Sequence, residues 1–99
     1  MRDAMPPGHF SRSPALRSFK HLLPGAHYLV RRDFVDFDGD LHPVGESWRF
    51  LGSSFLPHED GLSLFVSLDG EREWQIRLQW RKDAQGPIIN VLEDHVGPA

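Results

Sequence analysis

The side chains best suited to metal chemistry lie together in one polar loop of the sequence. Asp36, Asp38 and Asp40 alternate along the chain, and His42 follows two residues later. Carboxylate oxygens and imidazole nitrogens are ligands for divalent metal ions, and a metal-bound water can act as the nucleophile in hydrolysis. These four residues are therefore weak candidates for a metal site or for a metal-assisted hydrolytic site.

The spacing of this loop favours a simpler interpretation. Counted from Asp36, an EF-hand calcium loop requires Gly at position 6 and Glu at position 12. The chain has Leu41 and Ser47 there, its histidines are scattered, and it contains neither HxH nor HExxH. A turn in which Asp side chains bond their own backbone, with Gly39 at positive φ, explains the same residues. We therefore predict no cofactor and keep the metal site as an alternative.

Nucleophilic catalysis has little support in the sequence. The chain contains no cysteine, which excludes thiol catalysis, disulfides and cysteine metal sites. It also lacks a GxSxG motif and a phosphate-binding glycine loop. A buried acid–base pair stays open, although 99 residues leave little depth for a ligand-burying pocket. The sequence does not decide whether the protein is an enzyme, and it leans towards a non-enzymatic role.

A second candidate set belongs to one face of a predicted β-hairpin. Gln75, Arg77, Gln79 and Arg81 alternate along one strand, and Phe65 lies on the facing strand. An aromatic ring among Arg and Gln donors is typical of surfaces that bind proteins, peptides or bases. We expect Arg77 opposite Phe65, with its guanidinium over the ring. These five residues are the predicted binding face, and an ordinary solvated strand face is the alternative.

The hairpin that positions this face is the clearest element of the sequence. Apolar and polar residues alternate over 62–68 and again over 74–81. Pairing Leu68 with Trp74 aligns the apolar residues of both strands and sends Trp80 into the core. The hairpin is therefore predicted to have one apolar face and one polar face.

The remaining patterns predict a mainly β fold with a minor α component. Further strands are expected at 27–35 and 47–51, and Gly52 allows a bend between strand segments. Apolar residues at helical spacing after Gly86-Pro87 predict a short C-terminal helix. Together these elements indicate a small SH3-like barrel or roll of four to five antiparallel strands.

The N-terminal part of the chain differs in composition. Residues 1–24 are predicted to be a flexible extension, because Pro, Gly and Ser are frequent in the first thirteen positions. Within it, Ser13 and Pro14 favour the start of a short helix over 14–23. Residues 25–99 are then expected to form a single small β-barrel-like domain.

Charge and hydropathy restrict the partners and the location. The net charge is −3, which gives little attraction for nucleic acid or for an anionic membrane. A weak nucleic-acid binder that uses the basic N-terminus and Arg81-Lys82 is a disfavoured alternative. The chain has no apolar run long enough for a membrane helix and no secretory h-region, so we expect a cytoplasmic protein without membrane contact.

Several sequence motifs resemble those of a known family. They are Phe34-Val-Asp-Phe-Asp-Gly39, His42-Pro-Val-Gly-Glu-Ser-Trp48, Phe55-Leu-Pro57, Glu59-Asp-Gly-Leu-Ser-Leu-Phe-Val66 and Trp74-Gln-Ile-Arg-Leu-Gln79. Over about residues 25–96 they are similar to a small bacterial family of uncharacterised proteins, catalogued as a domain of unknown function. The resemblance implies a bacterial origin and a stand-alone domain, and it implies no catalytic residue.

The sequence favours a non-enzymatic interaction module as the function. The barrel would present the binding face and its acidic loops to a protein or peptide partner. One version is an inhibitor or immunity-like protein, whose acidic loops dock on the basic surface of a toxin. An exposed hairpin edge also allows a homodimer. The metal-site and nucleic-acid hypotheses stay open as alternatives.

Overall fold

The chain folds mainly into β-strands. The computed structural model describes residues 4–99. In chain order its elements are β1 (His27–Val30), β2 (Phe34–Val35), β3 (Leu41–His42), β4 (Ser47–Leu56), a 3₁₀ turn (Pro57–Glu59), β5 (Gly61–Ser67), β6 (Glu73–Gln79), α1 (Gly86–Asn90), α2 (Leu92–His95) and β7 (Val96–Pro98). The mainly β class with antiparallel strands and short C-terminal helices is confirmed, and the architecture is consistent with a small barrel or roll.

The main sheet has the strand order β6-β5-β4-β1-β7, with antiparallel neighbours, and β2 and β3 form a separate two-stranded hairpin. The long strand β4 changes partner along its length. Its first half pairs with β1, and its register with β5 shifts between Phe50 and Gly52. Beyond this bulge, Arg17 takes the place of β1 and pairs with Ser53. The bulge thus lets one strand bind two different segments.

The core lies on the inner face of the main sheet and beneath the helices. Alternate residues of β5 and β6 face inward, and Leu64, Val66 and Ile76 have no exposed surface. Ile89 and Leu92 cover them from α1 and α2. Because these inward residues are buried, the outward residues of the same strands are held on a rigid backbone. This arrangement positions the predicted binding face.

The β5–β6 hairpin has the predicted faces but not the predicted register. Leu62 pairs with Leu78 and Val66 pairs with Trp74, which is two residues from the predicted alignment. A shift of two residues keeps every side chain on its face, so the alternation alone does not distinguish the two registers. Leu68 lies in the loop and Trp80 lies beyond β6, and both are exposed rather than part of the core.

Side-chain hydrogen bonds order the loop between β5 and β6 in the observed register. The Asp69 carboxylate accepts hydrogen bonds from the backbone N–H groups of Glu71 and Arg72. The Ser67 hydroxyl accepts another from Gly70 N–H at 2.9 Å. These local bonds hold the turn that joins the paired residues Ser67 and Glu73.

The predicted helix over 14–23 is absent, and the chain makes turns there. The Arg17 N–H donates to Ser53 O, and Ser53 N–H donates back to Arg17 O. Lys20 adopts a positive φ of 50° in a tight turn that pairs Phe19 with Leu22. Bonds to β4 therefore replace the helical bonds that the Ser13-Pro14 signal favours.

Two further elements differ in extent from the sequence prediction. The strand expected over 27–35 is interrupted after Val30, and β2 begins at Phe34. The C-terminal helix is present but divides at Val91, and Val96 starts β7. Within residues 4–99, no helix is long and apolar enough to cross a membrane.

Candidate functional site

A cleft of about 170 Å³ opens on the outer face of the β5–β6 hairpin. We call it the hairpin cleft. Its lining residues are Phe37, Leu56, Glu59, Gly61, Leu62, Ser63, Gln75, Arg77, Leu78 and Gln79. Gln75, Arg77 and Gln79, three of the five predicted binding residues, are thus brought together here. The strand alternation explains this, because their neighbours Trp74, Ile76 and Leu78 face the core.

The floor of the hairpin cleft carries polar groups in fixed positions. The Gln75 side-chain amide donates to Ser63 Oγ at 2.9 Å across the strand pair. The Gln79 amide donates to the backbone carbonyl of Glu59 at 2.8 Å. Both glutamines are half-buried, so these bonds restrict their rotamers while the cleft stays open to solvent.

Arg77 connects the floor to one wall of the cleft. Its guanidinium lies 3.2 Å from Asp38 Oδ1 and 5.5 Å from the ring centroid of Phe37. Its backbone carbonyl also accepts a hydrogen bond from Phe37 N–H at 2.8 Å. The expected cation–π contact is thus present, but with Phe37 rather than Phe65. These contacts fix Phe37, which is about half exposed, as an apolar wall of the cleft that Leu56 also lines.

The other two predicted binding residues lie outside the hairpin cleft. Phe65 is only 7% exposed, because Phe10 packs on it with ring centroids 4.4 Å apart. It faces Gln75 rather than Arg77 in the observed register. Arg81 lies beyond the end of β6, and its Nε is 3.1 Å from Asp60 Oδ2. The expectation that Arg77 lies opposite Phe65 with its guanidinium over that ring is therefore wrong.

The Asp36 loop forms a closed hydrogen-bond network. Asp36 is buried, and its Oδ1 accepts from the backbone N–H groups of Asp38 and Asp40. Its Oδ2 lies 2.8 Å from His42 Nε2, and Glu46 Oε2 lies 2.7 Å from His42 Nδ1. Phe34 stacks on the imidazole with centroids 4.7 Å apart. The predicted Asx-type turn is present, and both imidazole nitrogens of His42 have carboxylate partners.

The charges of this network raise the pKa of His42. Burial alone lowers the pKa, but hydrogen bonds and attraction from Glu46 and Asp36 outweigh that effect. Both imidazole nitrogens are turned towards carboxylate oxygens of the chain, and the protonated form would donate one N–H to each. In residues 4–99 no group of three or more His, Asp and Glu side chains could hold a metal ion. Asp36, Asp38, Asp40 and His42 therefore offer no assembled ligand set.

Sequence reasoning missed Glu73, the most heavily bonded carboxylate of the outer face. It is buried, and it accepts hydrogen bonds from the N–H groups of Gly8, Phe10 and Ser11 and from Ser11 Oγ. These bonds lower the pKa of Glu73 although burial opposes them. The donors lie 62 to 65 residues away along the chain, so no local pattern could have indicated the contact.

Comparison with known proteins places most of the chain in one family. A family model described as a domain of unknown function (DUF3601) matches residues 15–97. A solved structure of an integron cassette protein from the mobile metagenome of Vibrio cholerae is 38% identical, with a TM-score of 0.81. That match covers 85% of this chain and 93% of the cassette protein. No curated protein matches the sequence. The hairpin cleft lies within the family match, whereas residues 4–14 precede it.

Proposed function

The chain belongs to the DUF3601 family of domains of unknown function, and we propose that it is a non-enzymatic module that binds an extended peptide segment of a protein partner in the hairpin cleft. One observation carries the proposal. Gln75, Arg77 and Gln79 form a row of polar side chains in a cleft that the exposed apolar residues Phe37 and Leu56 also line. This combination provides hydrogen bonds along a line and apolar contact beside it.

The spacing of the row matches that of an extended peptide. Residues two apart on a strand lie about 6.6–6.8 Å apart, and so do alternate residues of a bound extended chain. Amide and guanidinium groups at this repeat can bond successive peptide carbonyls and N–H groups. An apolar side chain of the peptide would then pack against Phe37 and Leu56. The arrangement explains why three polar positions and two exposed apolar residues share one cleft.

The size of the cleft favours a peptide over a small-molecule substrate. Its volume of about 170 Å³ is below the range of about 300–1,000 Å³ that is typical of small-molecule sites. The titratable network of the buried Asp36 and His42 with the partly buried Glu46 lies beside Phe34 and does not line the cleft. A binding role therefore fits the geometry better than an acid–base reaction.

The inhibitor or immunity-like version of this proposal has weaker support. It requires acidic loops that are free to meet a basic surface. Asp36 is buried, Asp38 pairs with Arg77, and Asp60 pairs with Arg81. Much of the negative charge of these loops is thus buried or paired with arginines of the same chain. Glu59 at the rim of the cleft is exposed and would supply the remaining acidic contact.

Selection of peptides from a displayed random-peptide library, with the full chain as bait, tests the proposal. We expect an enriched consensus whose synthetic peptide binds the wild-type protein in a titration. Arg77→Ala and Leu56→Ala should each weaken that binding by about tenfold, or about 1.4 kcal/mol. Val44→Ala changes an equally exposed apolar residue outside the cleft and should leave the affinity unchanged. The proposal fails if no consensus emerges or if the three variants bind alike.

We also make three proposals about the fold type, the cellular location and the oligomeric state of the protein. We propose that the roll is SH3-like, which superposition on SH3 domains would test. We propose that the protein acts in the cytoplasm, which fractionation of the source cells would test. A homodimer is the third, and sedimentation equilibrium would detect it. The mainly β architecture supports the first of these, and the sequence patterns support the other two.

A further inference from the structure

The N-terminal strap, defined as residues 4–14, lies across the outer face of the β5–β6 hairpin. It begins as an added strand residue, because Met5 exchanges two backbone hydrogen bonds of 2.8 Å with Glu73 at the edge of β6. It continues through turns from Pro7 to Arg12. The strap thereby covers a part of the sheet face next to the hairpin cleft.

The Glu73 carboxylate holds the strap. Gly8 N–H donates to one carboxylate oxygen at 2.9 Å, and Phe10 N–H donates to the other at 2.6 Å. Ser11 adds its N–H at 3.1 Å and its hydroxyl at 2.7 Å. Gly8 has a positive φ of 84°, which turns the backbone so that these N–H groups surround one anion. The strap is therefore a backbone nest that is complementary to a single carboxylate.

A second contact anchors the strap beside the carboxylate. The Phe10 ring lies on Phe65 with centroids 4.4 Å apart and planes inclined by 30°. Phe65 points to the outer face of β5, where Ser63 is the next residue on the same side. Phe10 is what covers this ring, since the core lies on the opposite face. The contact therefore shields an aromatic side chain that the sheet itself leaves outside.

The strap and the residues that hold it differ in their relation to the family. Phe65 and Glu73 lie within the family match of residues 15–97, whereas residues 4–14 lie before it. The domain thus carries an aromatic ring and a carboxylate on its outer face, and a segment outside the domain satisfies both. We propose that Phe65 and Glu73 form a docking site of the domain, and that the strap is its built-in occupant.

The contacts of the strap define the partner that the docking site would take in trans. That partner is a peptide turn with converging backbone N–H groups, an aromatic side chain for Phe65 and a following serine or threonine hydroxyl for Glu73. In this chain the strap competes with such a peptide for the docking site. It has the advantage of a high effective concentration, because it is covalently attached to the domain. The docking site is therefore autoinhibited, and binding in trans requires the strap to leave. This inference rests on different residues from those of the cleft proposal and does not depend on it.

A labelled synthetic peptide with the sequence of residues 4–14 is the probe. Its binding is measured by fluorescence anisotropy against the full chain and against the full chain with Phe10→Ala and Ser11→Ala combined. We expect the double variant to bind at least about tenfold more tightly, because its own strap occupies the site less often. Adding Glu73→Gln to the double variant should reverse the gain. A probe that itself carries Phe10→Ala should bind neither protein.

Two controls make the result decisive. Val44→Ala lies away from the docking site and should bind the probe as the wild type does. The proposal is overturned if the folded double variant gains no affinity, or if the altered probe binds as well as the original. Hydrogen exchange of the wild-type chain tests the same point without any variant. The strap amides of Phe10 and Ser11 should exchange well before those of β5, and exchange at the same rate would show that the strap is an integral part of the core.

Discussion

The Asp38 carboxylate lies 3.2 Å from the Arg77 guanidinium, and this pair joins the β2–β3 hairpin to the edge strand β6. The side chain of Arg77 is 42% exposed, whereas that of Asp38 is 14% exposed. Arg77 also holds Phe37 against the sheet, because its guanidinium lies over the Phe37 ring and its backbone carbonyl accepts a hydrogen bond from Phe37 N–H. Arg77 therefore holds Phe37, which is one wall of the hairpin cleft, and its own side chain forms part of the floor.

The ion pair itself should contribute little to stability. A double-mutant cycle with Arg77→Met and Asp38→Asn, measured by urea unfolding, should give a coupling of about 0.2–1 kcal/mol, because water screens the exposed guanidinium. The methionine keeps an apolar stem against Phe37, and the backbone bond to Phe37 is unaffected. A coupling above about 2 kcal/mol would contradict this assignment and indicate a desolvated pair.

Removal of the Glu73 charge should destabilise the fold in a way that depends on pH. Glu73→Gln should lower the free energy of unfolding by about 1–3 kcal/mol at pH 7, because the strap donors lose a charged acceptor. Since the folded-state pKa of Glu73 is lowered, its contribution is present above the unfolded pKa of about 4.3 and is lost as the pH falls through the folded value. Urea unfolding at pH 7 and at about pH 3 would show the difference shrink. Glu71→Gln, at an exposed position in the loop before β6, is the control and should change little.

His42 should make stability decline on the alkaline side. Its raised pKa means that the protonated form is preferred in the fold. The contribution is therefore full below the unfolded pKa of about 6.5 and is lost as the pH rises through the higher folded value. Urea unfolding over a pH series should show this decline in the wild type and in His58→Gln, which changes an exposed histidine. An unchanged decline in His42→Gln would show that another group is responsible.

Gly86 should tolerate no side chain. A Cβ at this position would lie 2.5 Å from the backbone carbonyl oxygen of Arg81, which cannot rotate away as a side chain does. Gly86→Ala should therefore cost about 1–3 kcal/mol through overpacking. Gly61→Ala is the matched control, because its nearest neighbour would be at 3.9 Å, an ordinary contact. Thermal unfolding of both variants checks the prediction, and equal melting temperatures would refute it.

The faces of the β5–β6 hairpin could be predicted from sequence because burial acts on every second residue. That rule places Gln75, Arg77 and Gln79 together on one outer row, which is where they lie in the fold. It could not fix the register, since a shift of two residues preserves the alternation. In the observed register Glu73 belongs to β6 and its backbone bonds Met5, a contact between distant segments that the alternation does not encode. The family resemblance was also confirmed, although the family match begins at residue 15 rather than near residue 25.

The N-terminal strap could not be predicted for a different reason. Its composition resembles that of an unstructured tail, and its order depends on Glu73, which is more than sixty residues away. The helix signal at Ser13-Pro14 is local, and it is overridden by the bonds between Arg17 and Ser53. Contacts between distant segments decided both outcomes. They also decided the position of Phe65, which sequence reasoning placed on an exposed face and which Phe10 covers.

The pairing of β7 with β1 has a consequence for biosynthesis. Val30 pairs with Val96, and His21 contacts the Val96 carbonyl oxygen across 75 residues of chain. A nascent chain on the ribosome therefore holds β1 with one of its two neighbours missing until residues 96–98 emerge. Such an unpaired edge can pair with other chains until residues 96–98 occupy it. The main sheet is completed only when residues 96–98 are available to pair with β1, and this pairing between distant segments should slow folding for a domain of this length.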